Sequence, residues 1–207
     1  MNDHDLPRRV LDAVDVTEIT QLIVTERESR DLGEWVRMRD CFHADALIRI
    51  SWITGDADAF VAGSIDMARR GVCAKHRLGP IRVHLGGDRA VASLTGIIDI
   101  PSQVDGIDAQ LSSHARFLYR AERRDDRWRL SGFDGVYRRD ELVATVPGQT
   151  LRIDPAALAG FRPSYPLLSY VLSRNGYAVN GELPGEDEPA RVAALEDELF
   201  GWAGIAR

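Results

Sequence analysis

The spacing of apolar positions changes at well-marked points along this chain, and each spacing predicts an element. Ile19, Leu22 and Ile23 recur at helical intervals. Asp15 fits the N-cap of that helix, Glu18 completes a capping box, and Gly33 suits its end. Residues 1–14 read as a loose arm before it. Trp35, Met38 and Phe42 form a second helical stripe starting at Glu34-Trp35, which leaves Asp31 at the corner between two helices. From Leu47 to Ile53 the period becomes that of a strand, with Ile48, Ile50 and Trp52 on one face and Gly55-Asp56 breaking it. Asp56 or Asp58 can cap a third helix reaching about Arg70, where Gly71 stops it.

A run of strands follows. Cys73 to Leu78 leads past Gly79-Pro80 into Ile81 to Leu85, and Gly86-Gly87-Asp88 turns the chain into Ala90 to Ile100. Ala109 to Arg123 and Arg127 to Tyr137 complete the set, joined by the turn Arg124-Asp125-Asp126. Strands of this length in successive hairpins imply a bent sheet, with Pro80 and Gly96 as bend points. The expected architecture is α+β: a cone in which three N-terminal helices pack on one face of a curved antiparallel sheet. Such a cone holds a hollow between sheet and helices, where small molecules bind.

After Pro147-Gly148 the pattern becomes helical again. Leu167, Leu168, Val171 and Leu172 make one buried stripe, and Val192, Leu195, Leu199 and Trp202 another. The expected division is therefore a cone over residues 1–147 and a helical extension over 148–207. The extension should pack on the cone, on a neighbouring subunit, or over the cavity mouth.

Composition narrows the partners. The chain has 207 residues, 44% apolar and 28% charged, with a net charge of −6. No basic stripe is interleaved with aromatics, which argues against nucleic acid. No apolar run reaches membrane-span length, and the first residues lack a secretory signal, so a cytoplasmic protein is expected. Cys41 and Cys73, the two cysteines, form neither a disulfide framework nor a zinc signature. With no HxH, HExxH, P-loop or GxGxxG, neither a metal nor a nucleotide cofactor is expected.

The chemistry concentrates at Lys75-His76-Arg77-Leu78. A histidine in mid-strand between apolar neighbours faces either a core or a cavity. In a cavity it needs a partner to hold its tautomer, and a carboxylate such as Asp31 is the commonest one. A plain buried pair, or Asp31 as a solvated cap, accounts for the same residues. His114 and Arg116 share one strand face and could reach a substrate oxygen, although Arg120 and Glu122 continue that face as an outward one would. Trp52, Phe60 and Met67 could line an aromatic-binding pocket or form a core stripe, and Tyr119, on the face opposite His114 and Arg116, could contact substrate or belong to the core. Asp134 and Tyr137 could close the cavity. His4, His43 and His84 have no convincing partners for a site.

Read together, Arg30-Asp31-Leu32-Gly33-Glu34-Trp35, Phe42-His43-Ala44-Asp45-Ala46, Lys75-His76-Arg77-Leu78, Gly87-Asp88-Arg89-Ala90 and the segment from Arg123 to Leu130 show a familiar order and spacing. From about Val16 to Tyr137 the chain resembles the SnoaL-like branch of the nuclear-transport-factor-2-like superfamily, nearest the scytalone dehydratase group. The resemblance implies the NTF2-like (cystatin-like) cone and a catalytic pairing of Asp31 with His76. It also implies a cofactor-independent lyase or isomerase, a dehydratase or a C–C or C–X eliminating enzyme, acting on a small hydrophobic, aromatic substrate. Here Arg30 stands where scytalone dehydratases carry a tyrosine, and Thr95 where they carry a second catalytic histidine, so scytalone itself is not the expected substrate. A homodimer or homotrimer is expected from the resemblance and from an open sheet face. The competing readings are a non-catalytic small-molecule carrier or sensor, and a structural small subunit of a ring-hydroxylating dioxygenase.

Overall fold

The computed structural model describes residues 8–206. Its first helix, α1 (Arg8–Leu32), starts well before the cap expected at Asp15, so residues 8–14 are helical. Residues 1–7 of the expected arm, with His4, lie outside the described residues. Asp15 has another task. Its carboxylate accepts from the Trp128 indole N–H at 2.9 Å and from Arg123 at 2.8 Å, tying α1 to the sheet. Gly33 ends α1 at φ 77°, a left-handed conformation open to glycine.

Next come α2 (Trp35–Asp40), β1 (Phe42–Ile50), β2 (Ile53–Asp56) and α3 (Ala57–Arg69). Phe42, expected on the second helix, opens β1 instead. The single strand expected from Leu47 to Ile53 is a hairpin turning at Ser51 and Trp52. Asp56 caps α3, accepting from the Ala59 N–H at 2.8 Å.

The remaining strands are β3 (Lys75–Leu78), β4 (Arg82–Gly86), β5 (Arg89–Val104), β6 (Ile107–Arg124) and β7 (Arg127–Ala144). The sheet order is β2-β1-β7-β6-β5-β3, with β4 also paired to β5. The expected antiparallel sheet has one exception, since β1 runs parallel to β7. This pairing brings an early strand against the last one, and no local pattern announces it. At Gly96 on β5 a Cβ would come within 2.4 Å of the Phe117 ring, so glycine lets that ring lie close against the neighbouring strand.

Alternation along the long strands sorts side chains between two faces. Ile48, Phe117, Tyr119 and Phe133 join Ile19, Ile23 and Phe60 in the main core. On the opposite face Val91, Leu118 and Val136 form a second apolar cluster.

Each face receives one helix from the C-terminal region, which also holds a short 3-10 turn (Pro155–Ala157). Helix α4 (Pro166–Arg174) adds Leu168, Val171 and Leu172 to the main core, and its Leu168 N–H donates to Asp140 on β7 at 2.8 Å. Helix α5 (Pro189–Ala203) lays Val192, Leu195, Leu199 and Ala203 on the second cluster. The sheet face that suggested self-association is therefore covered in part by the chain's own α5. Among the described residues no helix is long and apolar enough to cross a membrane.

Candidate active site

β3 is short, but its register is well defined: His76 pairs with Ile98 and Leu78 with Gly96 of β5. That register turns the His76 ring inward beneath the corner where α1 ends. Asp31 meets it there through both carboxylate oxygens. Oδ1 lies 2.6 Å from His76 Nδ1, and Oδ2 accepts from the His76 backbone N–H at 2.7 Å. The imidazole is 4% exposed and the carboxylate 16%. Because a carboxylate only accepts, Nδ1 carries the proton and Nε2 keeps its lone pair.

Burial pulls the His76 pKa down, the Asp31 hydrogen bond pulls it up, and the positive charges of Arg27 and Arg30 pull it down again, to about 4. At neutral pH the ring is therefore a neutral base. Burial raises Asp31, but its hydrogen bonds with His76 more than offset this, and it titrates below the ordinary carboxylate range.

His76 opens into a cavity of about 30 Å³ between α1, α3, α4 and the concave side of the sheet. Trp52, Phe117, Phe133 and Tyr137 supply its aromatic walls, and Leu168 and Leu172 of α4 close it. Phe117 stands edge-on to the His76 ring, with centroids 6.1 Å apart. The Tyr137 hydroxyl is fixed by the Ser51 N–H at 2.9 Å. Arg27 and Arg30 of α1 also line the cavity. Arg27 is held by its neighbour Glu26, whose Oε2 accepts from Nε at 2.5 Å, and Tyr119 donates to the same carboxylate at 3.3 Å. Glu26 and Arg27 are both buried, and the Arg27 guanidinium lies 4.9 Å from the Phe133 ring centre.

Of the residues singled out from sequence, His76, Trp52, Met67 and Tyr137 border this cavity, with Asp31 behind His76. Five do not. Phe60 is fully buried behind Trp52, with ring centroids 5.7 Å apart, and is core. Tyr119 stacks on Phe133 at 4.5 Å and serves the Glu26 carboxylate. His114, Arg116 and Asp134 sit on the other side of the sheet, because each is offset by an odd number from the inward Phe117 or Phe133. His114 Nε2 is 3.9 Å from Glu141, Arg116 pairs with Glu196 of α5, and Asp134 pairs with Arg49. Thr95 is exposed, so it offers no stand-in for a second catalytic histidine.

Leu168 and Leu172 come from the buried stripe expected in the helical extension, whereas the residues that the sequence did not mark for the site are Arg27, Arg30, Ile98 and Ile100. Their only signal was the arginine at position 30 where the resembling family has tyrosine. Among the described residues no three His, Cys, Asp or Glu side chains gather as a metal centre requires.

A family model described as the SnoaL-like domain matches residues 12–134. An uncharacterized protein of Emericella nidulans, AN9274, is 30% identical over 177 residues, spanning 81% of this chain and 74% of that protein. Among solved structures, an NTF2-like protein with a cystatin-like fold from Novosphingobium aromaticivorans superposes with a TM-score of 0.53 at 21% identity. It covers 65% of this chain and 88% of its own. A hexachlorocyclohexane dehydrochlorinase, LinA type 2, gives 0.55 at 19% identity, covering 67% and 97%. These two likenesses establish the cystatin-like fold.

Proposed function

The chain belongs to the SnoaL-like family, and from that premise we propose that it is a cofactor-independent lyase acting on a small, hydrophobic, aromatic substrate. The observation that carries this reading is the contact between Asp31 and His76 Nδ1 at 2.6 Å on the wall of an aromatic-lined cavity. Elimination also has a precedent on this fold in the dehydrochlorinase named above.

The chemistry follows from the geometry. His76 Nε2 removes a proton from a substrate carbon, and the C–H electron pair becomes a new double bond as the group on the adjacent carbon departs. Asp31 holds the ring in the productive tautomer and balances the positive charge that the ring acquires. The same Nε2 then returns its proton to the departing oxygen or halide, so the net change is loss of water or of an acid. The apolar walls keep bulk water from the base.

As it stands the cavity has room for only one or two waters, not an aromatic ring. Met67 of α3 and Leu168 and Leu172 of α4 must give way when substrate enters, so α4 would act as a movable wall. The test is product formation from a panel of hydroxylated and halogenated aromatic compounds by wild type, His76→Ala and Asp31→Asn. The expected loss is about 10²- to 10⁴-fold in turnover for His76→Ala, the range of a general base, and a smaller one for Asp31→Asn. Equal turnover by all three proteins removes the pair from the mechanism.

A further inference from the structure

Arg30 stands between two voids. It lines the inner cavity with His76 and Trp52, and with Val72 and Ala74 it also lines an outer pocket of about 160 Å³ beside Lys75. Among the described residues its guanidinium has little to hold it. Nε is buried without a hydrogen-bond partner. Nη2 reaches the Met67 thioether at 3.7 Å, a weak acceptor. The guanidinium carbon lies 5.9 Å from the Trp52 ring centre.

Arg27, on the preceding turn, shows the contrast. Both its Nε and Nη2 are matched to the Glu26 carboxylate. Asp31, next in sequence to Arg30, favours its charge from nearby but makes no ion pair or hydrogen bond with it among the described residues, and its oxygens accept from His76. A guanidinium kept for the fold would be paired as Arg27 is, because a sequestered cation without a matched acceptor is costly. Burial lowers the Arg30 pKa to about 10, and it still carries its charge at neutral pH.

We propose that Arg30 is the docking point for an anionic oxygen, a carboxylate or phenolate carried by an aromatic ring, so that the ligands of this cavity are organic anions rather than neutral compounds. A planar guanidinium fits such an oxygen or oxygen pair directly. Docking there places the ring against Trp52 and its attached carbons toward His76. Lys75 at the outer pocket favours approach of the same charge. The inference deepens the lyase reading of this cavity and rests on it for the fate of the bound anion, whereas binding itself is measurable without turnover.

The experiment compares benzoate with benzamide, a neutral compound of the same shape, by titration calorimetry and by thermal shift. The proteins are wild type, Arg30→Met, Arg30→Lys and His76→Gln. Wild type is expected to bind benzoate at least about tenfold more tightly than benzamide, a difference of about 1.4 kcal/mol. Arg30→Met should abolish the difference, Arg30→Lys should keep part of it, and His76→Gln should keep it. Arg30→Met should also melt no lower than wild type without ligand, since it removes an unmatched cation. Equal affinity for the two probes in wild type, with failure of benzoate to saturate counted as equality, overturns the proposal. So does a benzoate preference that survives in Arg30→Met, or a marked fall in the melting temperature of that variant. An anion preference with no turnover of any panel compound sinks the lyase reading alone. Turnover of neutral compounds without an anion preference sinks this inference alone.

Discussion

His76 is tuned by competition. Burial and two neighbouring guanidinium groups lower its proton affinity, and Asp31 restores only part of it, leaving a pKa of about 4 in place of the ordinary 6.5. The base works only when neutral, so its active fraction falls as pH drops through the folded-state value. In a pH series of kcat/KM the acid limb should therefore lie near 4, with a plateau from there to neutrality. A limb near 6.5 would mean that the ring is not buried beside those cations during catalysis. A base this weak also asks for a substrate whose C–H bond is already acidified. His76 was legible in the sequence because a histidine in an inward strand position has few roles. Arg27 and Arg30 were not, because an arginine on a helix ordinarily reads as solvated charge.

Helix α1 shows how an element can overrule its own pattern. Glu26 and Arg27 are consecutive, yet both are buried, because α1 is packed against α2 as well as against strands of the sheet. The pair survives burial by matching two donors to two acceptors and adding the Tyr119 hydroxyl. Glu26→Gln should leave Arg27 without its counter-charge and lower the unfolding free energy by roughly 3–5 kcal/mol in urea denaturation. A change within experimental error would show that the pair is dispensable to the fold. Strand β6 carries the complementary lesson. Its alternation was visible as two faces, with His114 and Arg116 on one and Phe117 and Tyr119 on the other. Which face turned inward was left open; Phe117 and Tyr119 join the main core with residues of α1 and α3, while Leu118 of the other face lies in the cluster under α5.

At the scale of the whole molecule the two faces of the sheet are served by different helices. The concave face holds the candidate site and is closed by α4, while α5 covers the second apolar cluster on the other face. Leu199 is fully buried in that cluster, far from His76 along the chain. Leu199→Ala should cost about 2–5 kcal/mol, read as a lower melting temperature. A melting temperature equal to that of wild type would mean that α5 is only loosely seated. The charged pairs around α5, Arg116 with Glu196 and Arg49 with Glu198, show that Arg116, expected near a substrate, serves instead to seat a helix.

By itself the sequence determined the helix corner at Asp31, the strand run from Lys75 onward and the resemblance that joins Asp31 to His76, because caps, glycine stops and two-residue alternation act over a few positions. It also determined that a helical region follows the strands. Only the tertiary structure decided that β1 pairs in parallel with β7, that Asp15 anchors rather than caps, and that α4 and α5 take opposite sides of the sheet. Those outcomes depend on contacts between distant segments competing for the same buried surface, and such competition leaves no trace in local spacing.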